Sequence, residues 1–290
     1  MVDADPKRAP IGLFDSGIGG LSILREVQRQ LPGENIIYVA DQAHVPYGSR
    51  SLEDIRLLSF AITDFLIDQG AKLIVVACNT ASAASLHEMR ERHTQIPFVG
   101  MEPAVKPAAM NTQTRTVGVL ATPTTFQGAL YASVVERFAD GVTVLQETLP
   151  GLVEQIEKGE FDSATTRKIL EQGVRPLIED GADTLVLACT HFPFIIPQLQ
   201  EIVGEQIHVI DPSPAVARQI HHLLTQQNLR SSGTEPGGIR FITSGDPAAF
   251  KSTLVRLGLK PADVLAAEWE FGRIGIQPDH DYFDQTTSTT

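Results

Sequence analysis

Cysteine, tryptophan and long apolar runs are scarce in this 290-residue chain, which has two cysteines and one tryptophan. No apolar run reaches the roughly 18 residues of a membrane-spanning helix, and residues 1–10 lack the apolar stretch of a secretory signal. Free thiols in a reducing cytoplasm are therefore expected rather than a disulfide.

Basic residues are also few: 23 Lys and Arg against 35 Asp and Glu give a net charge of −12. This charge argues against direct binding to nucleic acid.

Both cysteines lie in a segment that the chain contains twice. Residues 70–80 (GAKLIVVACNT) return as residues 181–191 (GADTLVLACTH), and each cysteine ends an apolar run before a polar pair. The tripeptide PAV at 103–105 recurs at 214–216, at the same offset that separates Cys78 from Cys189. Two copies are too few for a solenoid, so the repeat predicts two related lobes. Matched thiols at the ends of matched strands suggest that the lobes face one another across a shared site.

Apolar runs alternate with helical segments along the chain. Residues 51–69 predict a helix that Ser51 can cap, and the apolar run at 73–77 predicts a strand covered on both faces. In the second copy, a helix over residues 163–180, kinked at Pro176, leads into a strand at 184–188. This alternation predicts an α/β fold with two pseudo-symmetric lobes, each a mainly parallel sheet flanked by helices, and an active site in the cleft between them.

The order of the segments predicts a discontinuous first lobe. We assign residues 1–99 and 207–270 to lobe 1, residues 100–206 to lobe 2, and residues 271–290 to a C-terminal tail. Residues 207–210 resemble residues 98–99 and their surroundings, so we expect them to return the chain to lobe 1.

Polar residues follow several of the predicted strands. Ligands of open α/β sheets bind beyond the carboxyl ends of strands, where free N–H groups of helices suit anions. The chain has four such groups of polar residues at strand ends: Asp15-Ser16, Cys78-Asn79-Thr80, Thr122 to Thr125, and Cys189-Thr190-His191. They predict a small anionic ligand between the lobes. The glycines at 17, 19 and 20 lack the spacing of a nucleotide-binding loop and predict a tight turn.

Five segments, in this order, make the chain resemble the glutamate racemases of the cofactor-independent amino-acid racemase family. They are residues 11–20 (IGLFDSGIGG), 38–51 (YVADQAHVPYGSRS), 76–82 (VACNTAS), 188–193 (ACTHFP) and 210–216 (IDPSPAV). Within this family, the Pro46-Tyr47-Gly48 element favours glutamate over aspartate or hydantoin substrates. The resemblance implies interconversion of L- and D-glutamate without a cofactor, which supplies D-glutamate for peptidoglycan, in a homodimer. At the level of the family it also implies two further partners, a peptidoglycan-precursor effector and DNA gyrase.

The chemistry gives an independent reason for two cysteines. Inverting an α-carbon without a cofactor requires one group to remove the proton from one face and another to return a proton to the opposite face. Cysteine suits this role because its pKa of about 8.5 can be lowered by hydrogen bonds or nearby charge. The resemblance implies that Cys78 takes the proton from the D-enantiomer and Cys189 from the L-enantiomer. It further implies that Asp15 assists Cys78, that His191 assists Cys189, and that Glu154 assists His191.

The resemblance also implies which residues hold the substrate. They are Asp15, Ser16, Pro46, Tyr47, Gly48, Asn79, Thr80, Thr122, Thr125, Thr190 and His191. No metal is expected, because Asp279-His280-Asp281 lacks the spaced ligands of a closed site.

Two alternatives stay open. One is a racemase or isomerase of another small acid, such as aspartate or maleate. The other is a binding or regulatory protein whose lobes close on an anion without chemistry. A buried cysteine is by itself usually a small apolar side chain, but its duplicated setting favours catalysis.

Overall fold

The computed structural model describes residues 5–233 and 235–276, and in this part of the chain two sheets form. The strands are β1 (Ile11–Asp15), β2 (Ile36–Ala40), β3 (Leu73–Val76), β4 (Phe98–Gly100), β5 (Thr116–Ala121), β6 (Thr143–Glu147), β7 (Thr184–Ala188), β8 (His208–Ile210), β9 (Ile239–Thr243), β10 (Val264–Glu270) and β11 (Arg273–Ile276). The first sheet has the order β11-β10-β9-β2-β1-β3-β4, and the second has the order β6-β5-β7-β8. We call the parts of the chain built on these sheets lobe 1 and lobe 2.

Helices connect the strands. They are α1 (Leu21–Gln30), α2 (Leu52–Asp68), α3 (Asn79–Arg92), α4 (Val105–Asn111), α5 (Pro123–Gln127), α6 (Ala129–Phe138), α7 (Leu152–Glu157), α8 (Ala164–Glu179), α9 (Ile196–Val203), α10 (Ser213–Gln226) and α11 (Pro247–Arg256). Short 3-10 segments lie at Pro6–Arg8, Tyr47–Ser49 and Phe192–Ile195. Within the described residues, no helix is both long and apolar enough to cross a membrane.

The two sheets share one topological core, which confirms the predicted pseudo-symmetric α/β fold. In lobe 1, β1 pairs in parallel with β2 on one side and β3 on the other. In lobe 2, β5 pairs in parallel with β6 and β7 in the same way. The order β2-β1-β3-β4 is therefore repeated as β6-β5-β7-β8. Because parallel strands end at one edge, the residues after β1, β3, β5 and β7 collect at the carboxyl ends of the two sheets.

Local sequence signals account for the main helices. Ser51 caps α2, since its Oγ accepts a hydrogen bond from the backbone N–H of Asp54 at 3.1 Å. Ser163 caps α8 in the same way by accepting from Thr166 N, and the helix continues through Pro176 to Glu179. Strand β3 is buried along its whole length, as expected for a strand with helices on both faces.

The prediction that residues 207–210 return the chain to lobe 1 is wrong. Strand β8 pairs in parallel with β7, with Thr184 opposite His208, so it completes the second sheet. The similarity to residues 98–99 has a simple origin: β8 is the lobe 2 counterpart of β4, which pairs with β3 in lobe 1. The chain returns through α10, which packs against α1.

The expected tail also begins too early. Residues 273–276 form β11, which pairs antiparallel with β10 and extends the first sheet. Residues 277–290, including Asp279-His280-Asp281, lie outside the described residues. The rest of the predicted lobe division stays a prediction.

A single buried apolar cluster joins the lobes behind the cleft. It includes Leu13 and Leu21 of lobe 1 together with Leu120 and Leu187 of lobe 2. Burying this apolar surface between the sheets holds their carboxyl ends close to each other. The fold therefore brings polar residues from both copies of the repeat into one place.

Candidate active site

The two cysteines lie at equivalent positions beside the cleft. Cys78 follows β3 and Cys189 follows β7, and each thiol is about 5% exposed. Both are free thiols. Cys78 caps α3, where its Sγ accepts from the backbone N–H of Ala81 at 3.5 Å.

Asp15 occupies the end of β1 and is fully buried. Its Oδ2 accepts from the backbone N–H groups of Gly17 and Gly20, both at 3.1 Å, and Thr190 Oγ1 donates to Oδ1 across the cleft at 3.3 Å. The turn between β1 and α1 thus wraps around the carboxylate. A Cβ on Gly20 would press against Asp15 and the hydroxyl of Tyr38, so this close wrapping needs glycine.

The environment of Cys78 favours the neutral thiol. Burial raises the pKa of Cys78 well above its usual value, and the negative charge of Asp15 raises it further, against the opposing effect of the Ala81 N–H group. Burial also raises the pKa of Asp15, although the charge of His191 works in the other direction. Without a bound ligand, Cys78 is therefore a protonated thiol at neutral pH.

Cys189 has a cation beside it. Nδ1 of His191 lies 3.9 Å from Cys189 Sγ, and Nε2 lies 2.5 Å from Oε1 of Glu157. Burial lowers the pKa of His191, but the contacts with Cys189 and Glu157 outweigh it and hold this pKa well above the usual range. The ring is therefore an imidazolium at neutral pH, with both nitrogens acting as donors, and it can donate a hydrogen bond to a thiolate at Cys189.

Glu157 is anchored from both lobes. Besides pairing with His191, its Oε1 accepts from the backbone N–H of Ile18 at 2.8 Å, and its Oε2 accepts from Gln42 Nε2 at 3.2 Å. Burial raises the pKa of Glu157, but the bonds from His191, Ile18 and Gln42 outweigh it and lower this pKa overall. The carboxylate thus stays charged beside the imidazolium.

The acid that pairs with His191 is Glu157, and not Glu154 as the resemblance implied. Glu154 lies on the first turn of α7 and is exposed, whereas Glu157 lies at the end of this helix, where it reaches His191 and the β1–α1 turn. Two acids three residues apart project from the same side of a helix, so the sequence contained both candidates. Which one faces His191 depends on how α7 packs between the lobes.

Three threonine hydroxyls join the lobes on the Cys78 side. Thr80 Oγ1 lies 3.0 Å from Thr122 Oγ1 and 3.3 Å from Thr125 Oγ1, and the last two are 2.9 Å apart. Thr80 belongs to α3, while Thr122 caps α5. The structure therefore brings these three predicted residues together.

Asn79 is the most unusual polar group of the site. Its side chain is about 3% exposed, and neither Oδ1 nor Nδ2 has a hydrogen-bond partner. Burying an amide without hydrogen-bond partners costs free energy. A ligand that offers both a donor and an acceptor would therefore bind favourably beside Asn79. Ser16 and Thr190 are buried at the neighbouring strand ends.

The loop with Pro46, Tyr47 and Gly48 faces lobe 2. The backbone carbonyl of Gly48 accepts from Thr124 Oγ1 at 2.9 Å. The hydroxyl of Tyr47 donates to Asp41 at 2.6 Å, so this phenol fixes the loop. A cavity of about 210 Å³ lies beside the loop, and Pro46, Gly48, Thr122, Glu154 and Phe192 are among its lining residues.

Three polar residues of the site were not predicted from the sequence: Asp41, Gln42 and Glu157. Asp41 and Gln42 belong to the same segment (YVADQAHVPYG) as the Pro46–Gly48 element, so the sequence could have indicated them as site residues. Among the described residues, no three His, Cys, Asp or Glu side chains are grouped so that they could hold a metal ion.

Comparison with known proteins identifies the family of this chain. Residues 11–220 match the Asp/Glu/hydantoin racemase family. A glutamate racemase of Roseiflexus sp. (strain RS-1) is 51% identical over 261 residues, covering 90% of this chain and 96% of that protein. A crystal structure of a glutamate racemase isoform from Bacillus anthracis has a TM-score of 0.82 at 30% identity, covering 92% of this chain and 99% of that one.

Two further solved structures contain ligands. The glutamate racemase of Francisella tularensis in complex with D-glutamate has a TM-score of 0.79 at 31% identity, covering 89% of this chain and 97% of that one. The glutamate racemase of Escherichia coli in complex with L-glutamate and the activator UDP-MurNAc-ala has a TM-score of 0.77 at 29% identity, covering 93% and 99%. The chain belongs to the Asp/Glu/hydantoin racemase family and is an amino-acid racemase, an isomerase.

Proposed function

We propose that this racemase interconverts L- and D-glutamate without a cofactor, with Cys78 and Cys189 as the two acid/base groups. The observation that supports it most is the pair of buried thiols at equivalent strand ends, each with its own charged neighbour. The relatives named above are glutamate racemases, and two of their structures contain glutamate.

The charges of the site suit transfer from the L-enantiomer. A thiolate at Cys189 removes the α-proton of L-glutamate, and the imidazolium of His191 stabilises this thiolate before transfer. The thiol of Cys78 then gives its proton to the opposite face of the α-carbon and becomes the thiolate. The step leaves Cys189 as the thiol and Cys78 as the thiolate, so atoms and charge balance. This form converts D-glutamate by the reverse sequence, and proton exchange with water restores the Cys189 thiolate and the Cys78 thiol.

The unpartnered groups around Cys78 suit the substrate. Asn79 offers an amide donor and acceptor, and it opens α3, whose first N–H groups and positive dipole end attract a carboxylate. The hydroxyls of Thr80 and Thr122 border the same space. We assign a substrate carboxylate to this end of α3, and we assign the ammonium group to the side of Asp15, whose carboxylate it would neutralise.

The biological role we propose is the supply of D-glutamate for peptidoglycan. The Escherichia coli relative binds UDP-MurNAc-ala as an activator, which connects that enzyme to peptidoglycan precursors. A homodimer, and partners such as a precursor effector or DNA gyrase, stay predictions for this chain.

The test follows L- and D-glutamate separately in D₂O, with a chelator present and no added cofactor. We expect optical rotation to decay from both sides while deuterium enters the α-carbon. The Cys78→Ser and Cys189→Ser variants should each lose racemisation, whereas Glu154→Gln should keep it. A folded, reduced wild type that exchanges neither enantiomer would rule out the glutamate assignment, and a panel with aspartate and other small acids would then find the substrate.

A further inference from the structure

Trp269, the only tryptophan of the chain, connects the strand next to the edge of the first sheet to the loop with Pro46, Tyr47 and Gly48. It lies on β10, and its indole Nε1–H donates to Oδ1 of Asp41 at 2.8 Å. Its ring also meets the ring of His44 edge to face, with centroids 5.0 Å apart. Both partners belong to the segment between β2 and the Pro46–Gly48 element.

Asp41 is a buried carboxylate held by donors from three parts of the chain. Tyr47 OH donates to Oδ2 at 2.6 Å, Ser244 Oγ donates to Oδ1 at 2.7 Å, and His44 Nδ1 lies 3.0 Å from both oxygens. Asp41 is 0% exposed, so its carboxylate has no contact with water and depends on these donors for its hydrogen bonds. Removing one donor leaves the others to reorient the carboxylate.

Asp41 is hydrogen-bonded to the loop that borders the cleft. Tyr47 is anchored through its hydroxyl to Asp41, and the next residue, Gly48, contacts lobe 2 through the Thr124 hydroxyl. A side chain on Gly48 would overlap Thr122, so the loop and lobe 2 fit closely here. A shift of Asp41 would therefore move the loop relative to Thr122 and Thr80.

We propose that Trp269 is a positioning residue for the reaction. Its N–H group orients Asp41, and Asp41 orients the Tyr47–Gly48 loop in the arrangement that binds the substrate. This inference rests on the proposed function, because the loop is assigned there to a glutamate site.

The test replaces Trp269 by phenylalanine, which keeps an aromatic ring against His44 and removes the N–H donor. The lost bond ends on a charged acceptor, so we expect KM to rise about tenfold. KM should rise for both enantiomers, while kcat changes less than about twofold. Ser244→Ala removes a second donor to the same oxygen, a hydroxyl, and should give the same separation of KM from kcat. Ser244→Ala also tests the proposal if Trp269→Phe does not fold.

Ile274→Ala is the matched control. Ile274 lies opposite Trp269 on β11 and is buried in the core of lobe 1, and it belongs to the same hairpin. This variant should lower Tm and leave KM unchanged. In an Asp41→Asn background, Trp269→Phe should change KM less than about twofold further, because the two residues act through one bond.

Three outcomes decide between the possibilities. An unchanged KM in folded Trp269→Phe, with only Tm lowered, would overturn the inference in favour of a packing role. A KM increase in Ile274→Ala equal to that in Trp269→Phe would overturn it as well. Absence of glutamate turnover in the wild type would instead contradict the proposed function, and the inference with it.

Discussion

Replacing Glu157 by glutamine tests the buried pair that holds the charge on His191. The substitution keeps the size of the side chain and removes the ionic acceptor 2.5 Å from His191 Nε2. A hydrogen bond to a charged partner contributes about 1.5–3 kcal/mol. Since about 1.4 kcal/mol corresponds to a factor of ten in rate, we expect kcat/KM to fall about 10- to 100-fold. The cause is a lower pKa of His191, which leaves a neutral ring beside Cys189 at neutral pH.

The assay can locate this effect on one side of the site. The enantiomers have equal free energies, so kcat/KM must fall by the same factor in both directions. The proton transfer at Cys189 nevertheless becomes slower relative to the transfer at Cys78. We therefore expect the primary isotope effect on kcat/KM to rise for α-deuterated L-glutamate and to fall for α-deuterated D-glutamate. Titration of His191 by NMR should show its pKa lowered in the variant.

Glu154→Gln provides the control, because Glu154 lies one turn earlier on α7 and is exposed. Its kcat/KM should stay within about twofold of the wild type, as is usual for exposed positions. The reasoning is refuted if Glu154→Gln loses as much activity as Glu157→Gln. It is also refuted if folded Glu157→Gln keeps full activity, since the buried pair would then not support catalysis.

Three further predictions follow from the same geometry. Asp15 raises the pKa of both Cys78 and His191, so Asp15→Asn should move the basic limb of the kcat/KM–pH profile to lower pH; an unmoved limb would contradict this coupling. Asn79→Ala should raise KM about tenfold without lowering Tm, because the lost amide has no partner in the protein; a large fall in Tm would show a structural role. The lowered pKa of Glu157 stabilises the fold above about pH 4.3, and the raised pKa of His191 stabilises it below about pH 6.5. The Tm difference between the wild type and Glu157→Gln should therefore be largest between these values, and a difference that grows above this window would contradict the sign.

Much of the fold could be predicted because its signals are local. Ser51 and the apolar spacing after it mark α2, and the apolar runs in β3 and β7 mark sheets covered on both faces. The hairpin β10–β11 has no such signal. Its strands are partly exposed, and its turn uses Phe271 and Gly272, both with positive φ, in place of the usual Asn-Gly pair.

From strand order alone, the site could be predicted only where it follows strand ends. Cys78, Asp15 and His191 come directly after or at the end of buried strands, so strand order brings them together. Asp41 also follows a buried strand, β2, but its partner Trp269 lies in a distant segment, as does Ile18, the partner of Glu157. Sequence periodicity contains no information about such pairs, since each contact is set by how the lobes and the sheet edge pack.

Both copies of the repeat contain the thiol, but the charged groups beside the two thiols differ. The strand registers make Phe14 the counterpart of Leu120, so Asp15 corresponds to Ala121, and Thr80 corresponds to His191. Lobe 1 thus has an anion where lobe 2 has a methyl group, and lobe 2 has a cation where lobe 1 has a hydroxyl. The anion favours a thiol at Cys78, and the cation can stabilise a thiolate at Cys189. A two-base racemase needs one group in each protonation state, so perfect symmetry between the lobes would give a poorer catalyst than this complementary pair.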